Sequence, residues 1–158
     1  MDVLAFFQWL DHSMLATISK SNGGVFAMVQ TVHLASMALL GGMVLLLNLR
    51  LLNVVLPAVP AETIVANTRR WIGYALIVMI ASGIFMASAV SIKLYYNYFF
   101  WSKMAGLAMG IAFLYGIEFP LLKDKVASIG RWTVRLVALA SLMIWFSVAA
   151  SGRWIGFS

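Results

Sequence analysis

His33 stands inside a long apolar run, and an ionisable side chain at membrane depth is by default a functional hypothesis. It lies about ten residues into that run, roughly 15 Å below the surface at a rise of about 1.5 Å per residue. Three chemistries are open to it: a neutral imidazole hydrogen-bonded to a neighbouring helix, ligation of a metal or haem, or a proton relay. Gln30, Met37, Gly41 and Asn48 fall on the same side of a helix drawn through His33. A zinc or copper site built from side chains needs more ligands at that depth, and the chain has no cysteine and no second histidine in a span. Haem brings its own nitrogens and needs one histidine with a weak sixth ligand, so the residue inventory favours haem b. Met79, Met86, Met104 and Met143 are nominal sixth ligands; the other methionines read as core filler.

Lys103 and Arg153 come next. Lys103 falls about five residues inside a later span and Arg153 just beyond the last one, both on the side of His33. Each can snorkel to the headgroups. Each can also meet a haem propionate, since carboxylates beside lipid need cationic partners and arginine offers a bidentate one. His12 sits near the N-terminus, outside the spans, where a solvated surface histidine is expected. Arg50, Arg69, Arg70 and Glu118 gather at the opposite end, where ion pairing between loops is expected.

The elements that would position these residues are helices in a bilayer. Of the 158 residues, 63% are hydrophobic and 10% charged, and the mean hydropathy is +0.97. Soluble domains carry about 25% charged residues, and a domain this small cannot hide so much apolar surface from water. Four runs approach the roughly 20 residues needed to cross hydrocarbon, at about residues 24–47, 71–92, 98–117 and 132–150. No period-two alternation supports strands, and an open sheet cannot satisfy its backbone in lipid. The expectation is an all-α, four-helix integral membrane bundle forming a single domain over the whole chain. Residues 1 to about 20 read as a short amphipathic helix in the interface, with Val3, Leu4, Phe7, Leu10, Met14, Leu15 and Ile18 on one face. A cleaved signal peptide would have a basic start and a small-residue cleavage site, and neither is present. Trp71, Trp101, Trp132, Trp154, Tyr95, Tyr96 and Tyr98 fall near span ends as interfacial anchors. Gly106 and Gly110 form a GxxxG pair, a close-approach surface for packing within the bundle or for a homo-oligomer.

The net charge of +6 does not indicate nucleic acid, because the cations sit in short loops beside expected headgroups. Arg50, Arg69, Arg70, Lys123, Lys125, Arg131 and Arg135 fall on one side; Lys20, Lys93, Lys103 and Arg153 fall on the other. The positive-inside rule puts the first group in the cytoplasm and both termini outside it, in a bacterial inner membrane the periplasmic side.

The stretches Thr31-Val32-His33-Leu34, Leu40-Gly41-Gly42 and Asn48-Leu49-Arg50-Leu51-Leu52 resemble the first span of an uncharacterised family of small bacterial four-helix membrane proteins. Asn97 with Phe99, Phe100 and Lys103, and Ser141-Leu142-Met143-Ile144-Trp145 followed by Gly152-Arg153, extend the resemblance over nearly the whole chain. Where that family often has an aspartate before the leucine–arginine pair, this chain has Asn48. More distantly, the layout of His33, Gly41, Arg50 and Lys103 is similar to membrane protoporphyrinogen oxidases and CopD-type proteins. The former association implies haem b. It does not imply the enzyme's reaction, whose other sequence context is not matched.

The resulting expectation is a haem b-binding membrane protein with His33 as axial ligand, Lys103 and Arg153 at the propionates, and Gln30 and Gly41 beside the cofactor. It would exchange electrons with a quinol or a periplasmic partner. The rivals are a cofactor-free transporter or scaffold, and an oxidoreductase acting on a porphyrin or quinone. The orientation is directly measurable: a periplasm-active reporter fused after Ser158 should be active, and one inserted near Ala61 silent. The reverse pattern would move the His33 site to the cytoplasmic half.

Overall fold

The computed structural model describes residues 2–124 and 129–157, and among them the chain is helical without strands. The loop cation Lys125 lies outside the described residues, as do the side chains of Lys123 and Asp124. Two short helices, α1 (Val3–Asp11) and α2 (Met14–Ser21), precede α3 (Gly23–Leu51) and α4 (Ala61–Ser88). A short α5 (Ser91–Tyr95) leads into α6 (Tyr98–Phe113), a π-helical segment (Leu114–Glu118) and α7 (Phe119–Asp124), which run on as one span. Helix α8 (Arg131–Trp154) closes the chain with a 3-10 turn at Ile155–Phe157. Four of these helices are long and apolar enough to cross a membrane.

Two sequence boundaries need correction. The second membrane helix begins at Ala61, about ten residues before the apolar run suggests, because Pro60 supplies a ready N-terminus for Glu62, Arg69 and Arg70 to continue as helix beyond hydrocarbon. The N-terminal amphipathic segment is two helices, not one. Ser13 breaks it: its Oγ donates to the Leu10 carbonyl at 2.6 Å, closing α1, and accepts from the Ala16 amide at 3.2 Å, opening α2. Asn22 and Asn97 cap α3 and α6 in the same way, accepting from Val25 and Phe100 amides.

Helix α3 packs along α4, α6 packs along α8, and the two pairs join through α3 and α8. The α6/α8 seam depends on glycine. A Cβ on Gly106 would stand 2.9 Å from Val148 Cγ2, and one on Gly110 would stand 3.1 Å from the Trp145 ring. The GxxxG pair is therefore occupied within the chain, and it is not the free oligomer surface that the sequence allowed. Without a hydrophobic driving force between helices in lipid, such close van der Waals contact is what holds the seam.

Packing is uneven along the bundle. The apolar core gathers Leu40, Val44 and Leu47 of α3, Ile72, Leu76 and Met79 of α4, Leu114, Phe119 and Leu122 of the third span, and Val134 and Ala138 of α8. All of it lies toward the end that carries the α3–α4 connection, here the loop end. At the opposite, terminal end, the buried span residues are few: Ser36, Ser82, Ser88 and Val148.

Across the terminal end lie α1 and α2. Phe7 is buried against Tyr95, Phe100 and Trp101, while Phe6, Trp9, Met14 and Ile18 stay exposed on the far side. That is the placement of an interfacial layer with one face on the bundle. The polar contact in it is Asp11: its Oδ1 accepts from Lys20 Nζ at 2.9 Å and from Ser91 Oγ at 3.0 Å, tying α1 to α2 and α5. The Lys20 ammonium, with the Ser91 hydroxyl, holds the Asp11 carboxyl below the usual carboxylate range. A depressed carboxyl stabilises the fold above the ordinary value of about 3.9, and this is lost as pH falls through the folded value. Hydrogen-exchange protection of α1 and α2 should therefore drop on acidification below the ordinary carboxylate range while α3 and α4 stay protected. Asp11→Asn should show the low protection already at neutral pH; protection unchanged by acid would mean that the layer does not depend on this carboxylate.

Candidate functional site

His33 is half-buried on α3 and faces α4. Its Nδ1 lies 2.9 Å from Ser82 Oγ. The Ser82 hydroxyl is also 2.6 Å from the Val78 carbonyl and 3.1 Å from that of Met79. A hydroxyl has one proton, and these short backbone contacts take it. Ser82 Oγ is left to accept, so the ring proton belongs on Nδ1. Nε2 then carries the free lone pair, and the Met79 carbonyl, 3.1 Å from Ser82 Oγ, also accepts from the ring. Gly83 allows the arrangement, since a Cβ there would come within 3.3 Å of His33 Cε1. A histidine whose far nitrogen is fixed by a hydrogen bond, with its near nitrogen bare, is prepared as a ligand or proton acceptor.

Lys103 is half-buried and close enough to His33 for their charges to interact. Its aliphatic stem runs over Gly152 of α8, with Cδ and Cε 3.5 Å from where a Cβ on that glycine would stand. The terminal end thus brings His33 and Lys103 together from two helix pairs. Arg153 is exposed, its guanidinium 4.7 Å above the Phe157 ring. Gln30 and Gly41 do not join the site. Both are exposed, nothing lies near a Cβ built on Gly41, and Asn48, expected beside them, is fully buried in another direction. The helix face is too broad: residues within one apolar stripe of α3 divide between lipid and two neighbouring helices. Met79 is buried in the core, Met86 and Met104 are half-buried, and Met143 is 73% exposed, away from any shared site. His12 is exposed, at the end of α1.

The expected ion pairing at the loop end does not form among the described residues. Arg50 donates to the Val59 carbonyl and to Asn53 Oδ1, closing the α3–α4 connection. Arg69 stacks 5.6 Å from the Phe119 ring, and Arg70 is exposed. Glu118 turns inward instead and is 0% exposed. Its Oε2 accepts from Ser141 Oγ at 2.8 Å, and Ser141 Oγ accepts from Asn48 Nδ2 at 3.1 Å. Asn48 Nδ2 also donates to the Val44 carbonyl at 2.9 Å. Pro120 explains the local backbone: it has no amide proton and its ring crowds the carbonyl one turn back, so the helix widens to a π segment just before it. Glu118 is the last residue of that segment.

Residues 6–158 match a family described as "Family of unknown function (DUF6644)". The chain belongs to that family. No curated protein and no solved structure matches it. For this DUF6644 member the polar geometry is therefore the main guide to chemistry. Sequence reasoning found His33 and Lys103 but missed Ser82, which an apolar run gives no cause to single out, and it misplaced Glu118. Among the described residues no group of three or more His, Cys, Asp or Glu gathers for a metal.

The tautomer is the testable part of this geometry. Nitrogen-15 spectra of the imidazole should show Nδ1 protonated and Nε2 bare in the unligated protein. Ser82→Ala should give a tautomer mixture and lower stability by about 0.6 kcal/mol, up to roughly 2. A proton on Nε2 in the parent protein would overturn the assignment.

Proposed function

We propose that this DUF6644 protein binds haem b through His33 and serves electron transfer to or from a quinol or a periplasmic redox partner. In this reading it lies in a bacterial inner membrane with both termini on the periplasmic side. The observation that carries the proposal is the bare Nε2 of His33, held by the Nδ1 contact to Ser82 in the loosely packed half of the bundle. One imidazole so presented is the donor that haem requires from the chain, and the protein groups around it fit in part. Bound there, haem would supply one-electron chemistry. Ser82 would orient the ring and keep it neutral at Nε2. Lys103 would neutralise one propionate from within the bundle. Arg153 would hold the second on leaving Phe157, a contact at an exposed site worth only about 0.5–1 kcal/mol. The similarity of the layout of His33, Gly41, Arg50 and Lys103 to membrane protoporphyrinogen oxidases, which are associated with haem b, supports the same reading. Gln30 and Gly41 have no part in it.

The open side of His33 needs a cover, and a second copy of the chain is the cover we propose. A second reading, a cofactor-free protein that moves protons or small solutes, is favoured by the buried Glu118 network, which needs no haem.

The reduced-minus-oxidised spectrum of detergent-purified protein tests the proposal. A Soret band is expected in the parent, lost or strongly shifted in His33→Ala, which still inserts because the change raises span hydrophobicity slightly. Lys103→Ala and Arg153→Ala should keep the axial-ligand spectrum while shifting the midpoint potential or weakening retention. Colourless protein from haem-replete cells, or a Soret band unchanged in His33→Ala, would overturn the assignment. Native mass spectrometry in mild detergent showing monomers alone would remove the second copy.

A further inference from the structure

The loop-end network of Asn48, Ser141 and Glu118 holds a mismatch in its donors and acceptors. Its donors are the two N–H groups of Asn48 and the one O–H of Ser141. All three are used, on the Val44 carbonyl, Ser141 Oγ and Glu118 Oε2. Two acceptors remain, Glu118 Oε1 and Asn48 Oδ1, both buried without a partner. Asn48 is within hydrogen-bonding reach of the Glu118 carboxyl. Two orphan acceptors in an apolar interior are costly, and one hydrogen shared between them would satisfy both.

Among the described residues no other donor is placed to fill the gap. The indole Nε1 of Trp145 is also buried and unpartnered, but its ring edge lies against Gly110, about two helical turns or 12 Å along the third span from Glu118. The described charged side chains of the neighbouring elements are turned elsewhere. Arg50 of α3 bonds Val59 and Asn53, Arg69 of α4 stacks on Phe119, and Arg135 of α8 stacks on Trp132. Among the described residues the ion pair is Lys20 with Asp11, at the other end of the bundle. Among the described residues an ionised Glu118 would therefore meet only neutral hydrogen-bonding side chains, Ser141 and Asn48, and no counter-charge, in a medium where an uncompensated carboxylate is costly.

We propose that Glu118, Asn48 and Ser141 form a proton-binding site, in which Glu118 Oε1 carries the proton and donates it to Asn48 Oδ1. Ser141 donates to the other carboxyl oxygen and Asn48 anchors Ser141, so three helices hold one titratable proton. Binding converts the carboxylate and a proton into the neutral acid, and release leaves the negative charge within the bundle. The ligand class is the proton; a sodium ion, which the same three oxygens could also meet, is the competing outcome. The proposal does not depend on haem at His33.

Infrared spectroscopy of the full chain in lipid, at neutral pH and without sodium, tests it. The carbonyl stretch of a protonated carboxylic acid is expected, shifted on deuteration. Glu118→Gln should abolish that band and keep most of the stability, since its amide N–H replaces the lost O–H; Trp145→Phe should leave the band unchanged. If Glu118→Gln does not fold, Asn48→Leu supplies the reading: the band should move to higher frequency as its hydrogen-bond acceptor disappears. Absence of the band in the parent protein would overturn the proposal, as would a band unmoved in Asn48→Leu or one that sodium displaces.

Discussion

A polar group in hydrocarbon has no water to fall back on, so each one inside this bundle must find its partner on another helix or on its own backbone. That requirement organises the structure more than apolar packing does, because lipid tails solvate leucine as well as a neighbouring helix would. His33 reaches Ser82 and fixes α3 against α4. Asn48, Ser141 and Glu118 join α3, α8 and the third span. Ser102 of α6 meets Ser151 of α8 at 3.4 Å, while other span serines return to their own helix, as Ser36 does to the Val32 carbonyl and Ser88 to that of Phe85. The interhelical contacts are few and each is worth only about 0.6 kcal/mol on average. Their value lies in register: sliding any of these helices by one residue would strand a donor or acceptor in lipid.

Close contact then follows where side chains are absent. Gly106 and Gly110 let α8 reach the α6 backbone, Gly83 admits the His33 ring, and Gly152 admits the Lys103 stem. The α6/α8 seam is closed and specific, whereas the terminal half between the helix pairs buries little apolar surface. A bundle built only for stability would pack both halves alike. Here the half that carries the ionisable His33 and Lys103 is the loose one, and the half that is tightly packed encloses a neutralisable carboxyl.

The architecture was legible in the sequence because hydrocarbon thickness sets helix length, and the runs beginning near Gly24 and Tyr98 start within a residue of their helices. Helix α4 was not, since Ala61 to Arg70 is amphipathic and reads as loop to a hydropathy scan. The break at Ser13 had a local signal in its capping geometry, overlooked because one apolar face runs through both helices. At the site, His33 and Lys103 stood out by being ionisable within apolar runs. Ser82 could not, because a serine in a span ordinarily bonds its own backbone, as Ser82 also does. Glu118 groups with the arginines in sequence because all four fall at the same end of the spans. Its inward turn follows from the widened helix before Pro120, a tertiary consequence that spacing along an ideal helix does not reveal.

Along α3, His33 and Asn48 are separated by about fifteen residues, roughly 22 Å at 1.5 Å each. Leu40, Val44 and Leu47 occupy the buried face between them, so no chain of described polar side chains on α3 links the two sites. A proton cannot hop across that stretch without water, and a direct relay from His33 to Glu118 is not the use these residues suggest. What crosses an apolar barrier is the electric field. Two unit charges at 22 Å interact by about 0.8 kcal/mol at an effective dielectric of about 20, and salt does not enter hydrocarbon to screen them. That is close to a fourfold change in occupancy at one site for a unit charge change at the other. Within this bundle a charge gained or lost beside His33 and Lys103 would therefore bias proton occupancy at Glu118 modestly and reciprocally, with no moving part required.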